Sequence, residues 1–440
     1  MLHHSRADFP EGFLFGTATS AYQIEGHATG AAGRTQWDDF AATPGNVAGA
    51  ENGALACDHY HKWPQDLDLI ADAGFDSYRF SISWARVLPD GFGPVNAEGV
   101  DFYDRLVDGM LERGIKPAAT LYHWEMPSAL LDLGGWRNRD VAKWFADYTY
   151  TIMSTLGDRI WSAAPINEPW CVSWLSHFLG QHAPGVRDIR ATARAMHHVL
   201  LAHGHAIEAM RSLGMDNLGA VCNLEYAEPV DDTPEAAQAA SLYDGLYNRW
   251  FLSGLFKQEY PEDVLTGLAP HMPAGWEDDF GIIAQPLDWC GLNYYTRKLI
   301  APDPGAWPSL REVEGPLDKT QLGWEIYPDG LEHFLKNTAA TYTGDLPLYV
   351  TENGMAWDDT PGRADVERIA YLNSHLDAVQ RALAAGVPCK GYYVWSLLDN
   401  FEWAFGYAPR FGLVHTDFAS LQRTPKASYD ALKAALSERT

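Results

Sequence analysis

The stretch that decides the fold is FYDRLVDGMLERGIKPAATLYHW, residues 102–124. Its first half carries Phe102, Leu106 and Met110 at four-residue spacing, which is typical of one face of a helix. Gly114 follows, at the position where helices commonly end in the left-handed conformation that glycine adopts without steric cost. The apolar run KPAATLY comes next and is typical of a strand buried on both faces. The stretch therefore predicts a helix followed by a buried parallel strand.

The same pattern, a helical segment ending at glycine and then a short apolar run, recurs at Gly74, Gly214 and Gly386. Adding similar runs gives eight candidate strands: FLFGTA, SYRFSIS, KPAATLY, SAAPIN, LGAVCN, LDWCGLN, PLYVTE and GYYVWS. Helical stretches separate most of them, and alternating strands and helices favour parallel β/α units. We therefore predict an α/β protein whose eight units close into a (β/α)₈ barrel of the TIM type.

The length and composition suit a large globular barrel. The chain has 440 residues, of which 47% are hydrophobic, which is ample for a buried core. Barrels with long loops reach this size as one domain, so we expect residues 1–440 to form a single catalytic barrel domain. Two irregular stretches, 26–63 and 294–330, predict long loops at the carboxyl-terminal face of the strands. Loops of that length commonly wall a binding site.

The net charge bears on the partners of the protein, and the cysteines and apolar runs bear on its compartment. The net charge of −26 disfavours nucleic acid and anionic membranes as partners. The five cysteines are scattered and form no C-x-x-C pair, which indicates free thiols in a reducing compartment. The first residues lack the apolar core of a signal peptide, and no apolar run reaches membrane-spanning length. We expect a cytoplasmic protein, either monomeric or a homo-oligomer.

Polar and aromatic residues follow the candidate strands where a barrel places its active site, at the carboxyl ends of the strands. A purely structural role would favour Val, Ile and Leu at these positions. The residues are Gln23 after the first run, Arg79 in the second, His123 and Trp124 after the third, Asn167 and Glu168 after the fourth, Asn223 at the fifth, Asn293 and Tyr295 at the sixth, Glu352 at the seventh and Trp395 on the eighth.

Two of these residues, Glu168 in INEPW and Glu352 in VTENG, are carboxylates placed directly after buried runs. Two carboxyl groups in one pocket suit glycoside hydrolysis, because the leaving oxygen needs a proton and the anomeric carbon needs an anion or a nucleophile. A retaining enzyme requires the two groups about 5–5.5 Å apart, with one pKa raised so that this group stays protonated.

The chain resembles the family 1 glycoside hydrolases, the β-glucosidase family, over essentially its whole length. The stretches that carry the resemblance are FPEGFLFGTATSAYQIEG, CDHYH, SYRFSISWARVLP, TLYHWEMP, GGWRN, INEPW, HAPG, NRWF, GLNYYT, GWEIYPDG, YVTENG and WSLLDNFEW. Their order along the chain is that of the family. In three places the chain departs from the usual pattern: Glu125 stands where the family usually has Asp, SAAPIN lacks a W-x-T pattern, and GYAPRFG differs from the commoner basic form.

The resemblance implies a role for each residue of the site. Glu168 would be the general acid and then the general base, and Glu352 the nucleophile. Arg79 and Tyr295 would orient the carboxylate of Glu352, and the arginine would lower its pKa. The substrate would be held by hydroxyl-binding groups, a stacking platform and residues of the pocket wall and mouth. These are Gln23, His123, Trp124, Asn167, Glu402 and Trp403 for the sugar, Trp395 beneath it, and Asn223, Asn293, Phe411, Trp324, Trp170 and Cys171 for the wall and mouth.

The implied activity is that of a retaining exo-β-glucosidase in carbohydrate metabolism, including cellulose degradation. Its substrates would be cellobiose, short β-gluco-oligosaccharides and aryl β-glucosides. The chain has no H-E-x-x-H, phosphate-loop or dinucleotide glycine motif, so we expect no metal and no cofactor.

Several alternatives remain open. The same pocket could act on β-galactosides and β-fucosides, because Glu402 and Gln23 can bind a 4-hydroxyl of either configuration. A 6-phospho-β-glycosidase would conflict with the charge of Glu402, and a thioglucosidase would not need Glu168. A non-catalytic sugar-binding barrel would be expected to lack one of the two carboxylates, and both are present.

Overall fold

The computed structural model describes residues 1–358 and 364–437. Its main sheet has nine strands. They are β1 (Leu14–Ala18), β2 (Ser77–Ser81), β3 (Lys116–Tyr122), β4 (Ser162–Ile166), β5 (Gly219–Pro229), β6 (Trp289–Pro302), β7 (Leu310–Val313), β8 (Leu348–Asn353) and β9 (Cys389–Trp395). A separate antiparallel pair consists of β10 (Val414–Thr416) and β11 (Arg423–Pro425).

Eight of the nine strands lie parallel in the order β4-β3-β2-β1-β9-β8-β6-β5. The first strand pairs with the last along its whole length, from Leu14 opposite Gly391 to Ala18 opposite Trp395. The two ends of this path, β4 and β5, are joined by isolated parallel bridges, Ala163 to Leu218 and Asn167 to Val221. The eight strands therefore curl into a ring, which confirms the predicted barrel.

Helices lie between the strands. They are α1 (Ala21–Ile24), α2 (Gln36–Ala42), α3 (His59–Asp72), α4 (Trp84–Val87), α5 (Ala97–Glu112), α6 (Ser128–Asp132), α7 (Val141–Leu156), α8 (Ile189–Ser212), α9 (Pro234–Asp244), α10 (Trp250–Lys257), α11 (Glu262–Leu268), α12 (Phe280–Ile283), α13 (Pro328–Thr338), α14 (Val366–Ala384) and α15 (Ala427–Leu436). Within the described ranges, none of these helices is long and apolar enough to cross a membrane.

The helix-to-strand turns follow the sequence pattern. Gly114 after α5 has φ of +69°, a left-handed conformation that costs little only at glycine. Phe102, Leu106 and Met110 on that helix are at most 1% exposed, so the predicted apolar face packs on the barrel. The turn and the packing together bring the chain back to the start of β3.

The two stretches predicted as irregular contain regular structure, so that expectation was wrong in part. In 294–330, β6 continues to Pro302 and pairs with the extended end of β5, and β7 pairs antiparallel to β6. In 26–63, α2 is capped by the side chain of Thr35, which accepts a hydrogen bond from the backbone N–H of Asp38. The pairing of β6 was not predicted because residues 294–330 are rich in Pro, Gly and Trp, a composition typical of loops. The strand is stabilised here by its pairing with a neighbouring strand. The extensions of β5 and β6 stand above the other strand ends and wall the cavity described below.

Glu125, in the turn after β3, is a buried carboxyl group. It is 2% exposed, and the nearby Ser83 hydroxyl acts against burial by lowering its pKa. Burial raises the pKa of Glu125 to about 8. The folded protein therefore holds a proton on Glu125 over a pH range in which the unfolded chain has released it.

We expect Glu125→Gln to stabilise the protein increasingly as the pH rises from 5 to 8. In this range the folded wild type binds more protons than the unfolded chain, so its free energy of unfolding falls by up to about 1.4 kcal/mol per pH unit, and glutamine removes that loss. Urea denaturation of both proteins at pH 5, 6.5 and 8 measures the difference, with exposed Glu112→Gln on α5 as the control. A difference that does not change with pH would contradict the expectation.

Candidate active site

A cavity of about 240 Å³ opens at the carboxyl ends of the barrel strands. Most residues predicted from the sequence line it: His123, Trp124, Glu168, Trp170, Cys171, Asn223, Asn293, Tyr295, Trp324, Glu352, Trp395, Glu402, Trp403 and Phe411. The remaining three, Gln23, Arg79 and Asn167, are buried behind this lining and contact it through hydrogen bonds. The structure thus brings all the predicted site residues together.

Glu352, near the end of β8, is held by two donors. The Arg79 guanidinium on β2 donates to its Oε1 at 2.6 Å, and the Tyr295 hydroxyl on β6 donates to its Oε2 at 2.7 Å. The Glu352 side chain is 3% exposed and that of Arg79 is 4% exposed, so this ion pair is shielded from water. Charge-assisted bonds of this kind fix the direction of the carboxylate as well as its charge.

Glu168, just after β4, has weaker partners. The Asn293 amide donates to its Oε1 at 2.6 Å, and the Cys171 thiol lies 3.1 Å from its Oε2. Its φ of 54° is a left-handed conformation that is uncommon for a residue with a side chain. The backbone N–H of Glu168 donates to the carbonyl of Val221 on β5, which holds this turn in place.

A hydrogen-bond network joins the two carboxyl groups. Arg79 Nη2 donates to Asn167 Oδ1 at 2.7 Å, and Asn293 Nδ2 donates to the same oxygen at 3.0 Å. The Thr351 hydroxyl lies 2.6 Å from Asn293 Oδ1 and fixes the other end of that amide. Asn293, predicted as part of the pocket wall, therefore contacts Glu168 directly.

The two glutamates differ in how their charge is balanced. Burial and then the charge of Glu352 raise the pKa of Glu168 to about 8. Burial also raises the pKa of Glu352, while Arg79 and Tyr295 act in the opposite direction. Arg79 therefore lowers the pKa of Glu352 as expected, although burial has the larger effect and the net pKa stays above its ordinary value. Glu352 still ionises first, since it alone of the two accepts from a cation, and Glu168 keeps the proton.

One side of the cavity has aromatic rings next to hydrogen-bonding side chains. The imidazole of His123 stacks on Trp395 at 5.5 Å and on Trp403 at 6.1 Å between ring centroids. Gln23 Nε2 lies 3.4 Å from Glu402 Oε2. Burial, with the charges of Glu352 and Glu168, raises the pKa of Glu402 to about 8. Rings beside hydrogen-bonding groups suit a ligand that has both C–H faces and hydroxyls.

The other side of the cavity contains polar residues that the sequence analysis missed. Tyr243 donates to Glu225 Oε2 at 2.5 Å, and Lys298 forms an ion pair with Glu312 at 2.8 Å. All four line the cavity. The predicted strands ended at Asn223 and Asn293, whereas β5 and β6 continue and place residues two positions apart on the same face. A period-two reading beyond Asn223 would have identified Glu225.

No metal site is evident in this cavity or elsewhere: across residues 1–358 and 364–437, no three His, Cys, Asp or Glu side chains are grouped so as to hold an ion. The groups that can take part in chemistry are the protonated carboxyl of Glu168, the carboxylate of Glu352 paired with Arg79, and the polar side chains that line the cavity beside them.

Comparison with known proteins gives a consistent result. The family model described as glycosyl hydrolase family 1 matches residues 5–439. A β-glucosidase of Agrobacterium sp. is 46% identical over 440 residues, covering 97% of this chain and 95% of the relative. β-Glucosidase A of Thermotoga maritima is 44% identical over 427 residues, covering 96% of each. The solved structure of the family 1 β-glucosidase from Thermotoga maritima superimposes with a TM-score of 0.95 at 43% identity, covering 98% of each chain.

We expect Glu352→Gln to lower the pKa of Glu168 from its raised value, because the substitution removes the neighbouring negative charge. The pKa should stay above the ordinary range, since burial is the larger cause. Carbon-13 NMR of side-chain-labelled glutamate across pH measures the titration. Glu312→Gln, at the outer end of the same cavity, is the matched control. An equal shift of the Glu168 pKa in both variants would contradict the conclusion that the charge of Glu352 raises it.

Proposed function

The chain belongs to glycosyl hydrolase family 1, and we propose that it is a retaining exo-β-glucosidase that releases terminal β-D-glucosyl residues. Its substrates would be cellobiose, short β-gluco-oligosaccharides and aryl β-glucosides. The observation that carries the proposal is the unequal pairing of two buried glutamates. Glu352 accepts from Arg79 and Tyr295, whereas Glu168 accepts only from uncharged groups.

In the first step, we propose that a carboxylate oxygen of Glu352 forms a bond to the anomeric carbon while the bond from that carbon to the leaving oxygen breaks. Glu168 gives its proton to the leaving oxygen, so the leaving group departs as a neutral alcohol. The hydroxyl of Tyr295 and the guanidinium of Arg79 hold the attacking carboxylate in one orientation.

In the second step, Glu168 acts as the base. Esterification of Glu352 removes the negative charge that helps to raise the Glu168 pKa, so this pKa falls and the carboxylate can take a proton from water. The water oxygen attacks the anomeric carbon and Glu352 leaves as a carboxylate. Two inversions at one carbon give overall retention.

The terminal sugar would lie on the side of the cavity that holds Trp395, His123 and Glu402. We propose that Trp395 stacks under the ring, and that Glu402 and Gln23 bind neighbouring hydroxyls. Both can accept from or donate to a 4-hydroxyl of either configuration, so activity on β-galactosides and β-fucosides is a second candidate at the same site. A carboxyl group at Glu402 disfavours a 6-phosphate, because it supplies no positive charge to balance the phosphate and would repel it on ionising.

The leaving group would lie on the side of Asn223, Glu225 and Lys298. These residues support a sugar as leaving group, because charged and amide groups bind hydroxyls more strongly than they bind an aryl ring. Trp170 stacks on Tyr247 at 4.1 Å and supplies a flat surface beside them. We therefore propose that the protein favours oligosaccharides over simple aryl glucosides in this half of the site.

We also propose that residues 1–440 act as one catalytic domain in the cytoplasm. The first strand pairs with the last barrel strand, and Arg6 near the start of the chain donates to the carbonyl of Leu436 near its end. All five cysteines are buried and free, which suits a reducing compartment.

We expect Glu352→Ala to lower the kcat for 4-nitrophenyl β-D-glucoside by about 10⁴-fold or more, because the nucleophile is lost. Azide should restore turnover and give the α-glucosyl azide, since azide then displaces the leaving group in one inversion. NMR of the product measures the configuration.

Glu168→Ala is the matched control for that experiment. Azide should replace water in its second step only, and the product should be the β-glucosyl azide. If wild type is inactive on glucoside, galactoside and fucoside alike, or if both variants give the same anomer, the assignment of the two glutamates is wrong.

We expect Glu225→Gln and Lys298→Met each to lower kcat/KM for cellobiose by about tenfold, equivalent to about 1.4 kcal/mol, because each change weakens a hydrogen-bonding partner of the hydroxyls on the leaving sugar. The kcat/KM for 4-nitrophenyl β-D-glucoside should change by less than about twofold. Lys390→Met, an exposed lysine at the opposite end of the barrel, is the control. Equal losses on both substrates would show that these residues do not select the leaving group.

A further inference from the structure

The thiol of Cys171 contacts the side chain that the proposed function assigns as the acid. Its Sγ lies 3.1 Å from Glu168 Oε2, and the residue is 6% exposed. Burial, together with the charge of Glu168, raises the pKa of the thiol well above its ordinary value, so it remains an S–H group. The resemblance to the family implied only that Cys171 lines the mouth of the pocket.

The polarity of the hydrogen-bond network decides which oxygen of Glu168 carries the proton. Arg79 can only donate, so the atom of Asn167 that it contacts must be the oxygen. The atom of Asn293 facing that oxygen must then be its NH₂ group, and the same group contacts Glu168 Oε1. An NH₂ group cannot accept, so Oε1 is the acceptor oxygen.

The carbonyl oxygen of a protonated carboxyl is its stronger acceptor, so this contact favours the proton on the other oxygen, Oε2, which is the one beside Cys171. A thiol suits this position because sulfur can donate weakly to the carboxylate and accept weakly from the protonated acid. Asn223 Nδ2, 3.6 Å from the same sulfur, also contacts the thiol and limits its movement. Tyr247 contacts that amide in turn at 2.8 Å.

Resting on the proposed function, we propose that Glu168 transfers its proton from Oε2 and that Cys171 is the positioning residue for that oxygen. In the acid form, Oε2 gives its proton to the leaving oxygen as the bond from that oxygen to the anomeric carbon breaks. The thiol then donates to the new carboxylate. Cys171 itself neither gains nor loses a proton in this cycle.

The pH dependence of the reaction also reflects the other groups around Glu168. Those that act on its charge, or on which its charge acts, are Glu352, Arg79, Tyr295, Tyr247, Glu402 and Cys222. A test must therefore compare substitutions at position 171 that leave all of these unchanged.

The test compares Cys171→Ala, which removes the donor, with Cys171→Ser, which keeps a stronger one. The alkaline limb of kcat/KM for phenyl β-D-glucoside should move to higher pH in the alanine variant, because the carboxylate loses a donor. It should move to lower pH in the serine variant, because a hydroxyl favours the carboxylate more than a thiol does. Cys389→Ser, at the start of β9, controls for the loss of a buried thiol elsewhere.

A second substrate distinguishes a change in kcat/KM caused by altered proton transfer from one caused by altered packing. 2,4-Dinitrophenyl β-D-glucoside releases a stable anion and needs no proton, so its kcat/KM should change by less than about twofold in both variants. The phenyl glucoside should lose about tenfold in the alanine variant. Serine is nearly the same size as cysteine, so its variant tests the proposal even if the alanine variant does not fold.

The outcomes separate the proposal from the function on which it rests. If wild type hydrolyses neither glucoside, the proposed function fails. If wild type is active and the two variants move the alkaline limb in the same direction, or lose equally on both substrates, then Cys171 only fills space. Opposite shifts confined to the phenyl glucoside support the assignment of the proton to Oε2.

Discussion

The ion pair between Arg79 and Glu352 is the interaction on which the rest of the site depends. It lies across the barrel mouth between β2 and β8, and it is shielded from water. A buried charge without a partner would be strongly destabilising, so each of these residues needs the other. Because guanidinium nitrogens only donate, this pair also sets the polarity of the next amide, Asn167, and through it of Asn293 and Glu168. One charge–charge contact thereby orders both carboxyl groups.

The barrel makes this arrangement possible because it brings segments that are distant in sequence to one face. Residues separated by 273 positions, Arg79 and Glu352, meet at 2.6 Å because parallel strands end at the same edge. The extensions of β5 and β6 add a wall on one side only. The cavity therefore has two halves. The ends of the barrel strands and the loops after them form one half, and the extensions of β5 and β6 form the other. The first half holds the carboxyl pair, and the second holds polar groups such as Lys298 that the chemical step does not use.

Much of the fold and the central site could be predicted from sequence, because both rest on local patterns. Helices that end at glycine and are followed by apolar runs, such as Gly114 before KPAATLY, fix the order of strands and helices. Glu168 and Glu352 stood out because they directly follow such runs. The extension of β6 could not be found this way, since a strand beyond the barrel is stabilised by its pairing with β5. The contact of Cys171 with Glu168 was missed for the same reason, since it depends on tertiary geometry. Glu225 was missed because the period of β5 was not followed beyond Asn223.

The charge balance of the cavity follows from burial more than from pairing. Burial raises the pKa of Glu168, Glu352 and Glu402 alike, and Arg79 is the cation in contact with one of them. The low-energy state therefore has one ionised carboxylate, on Glu352, and protons on the other two. As positive charge develops on a sugar in this cavity, it meets a single fixed anion whose position is set by Arg79 and Tyr295. A neutral Glu402 can still accept and donate hydrogen bonds to hydroxyls, so the pocket can bind a neutral sugar without the repulsion of three adjacent negative charges.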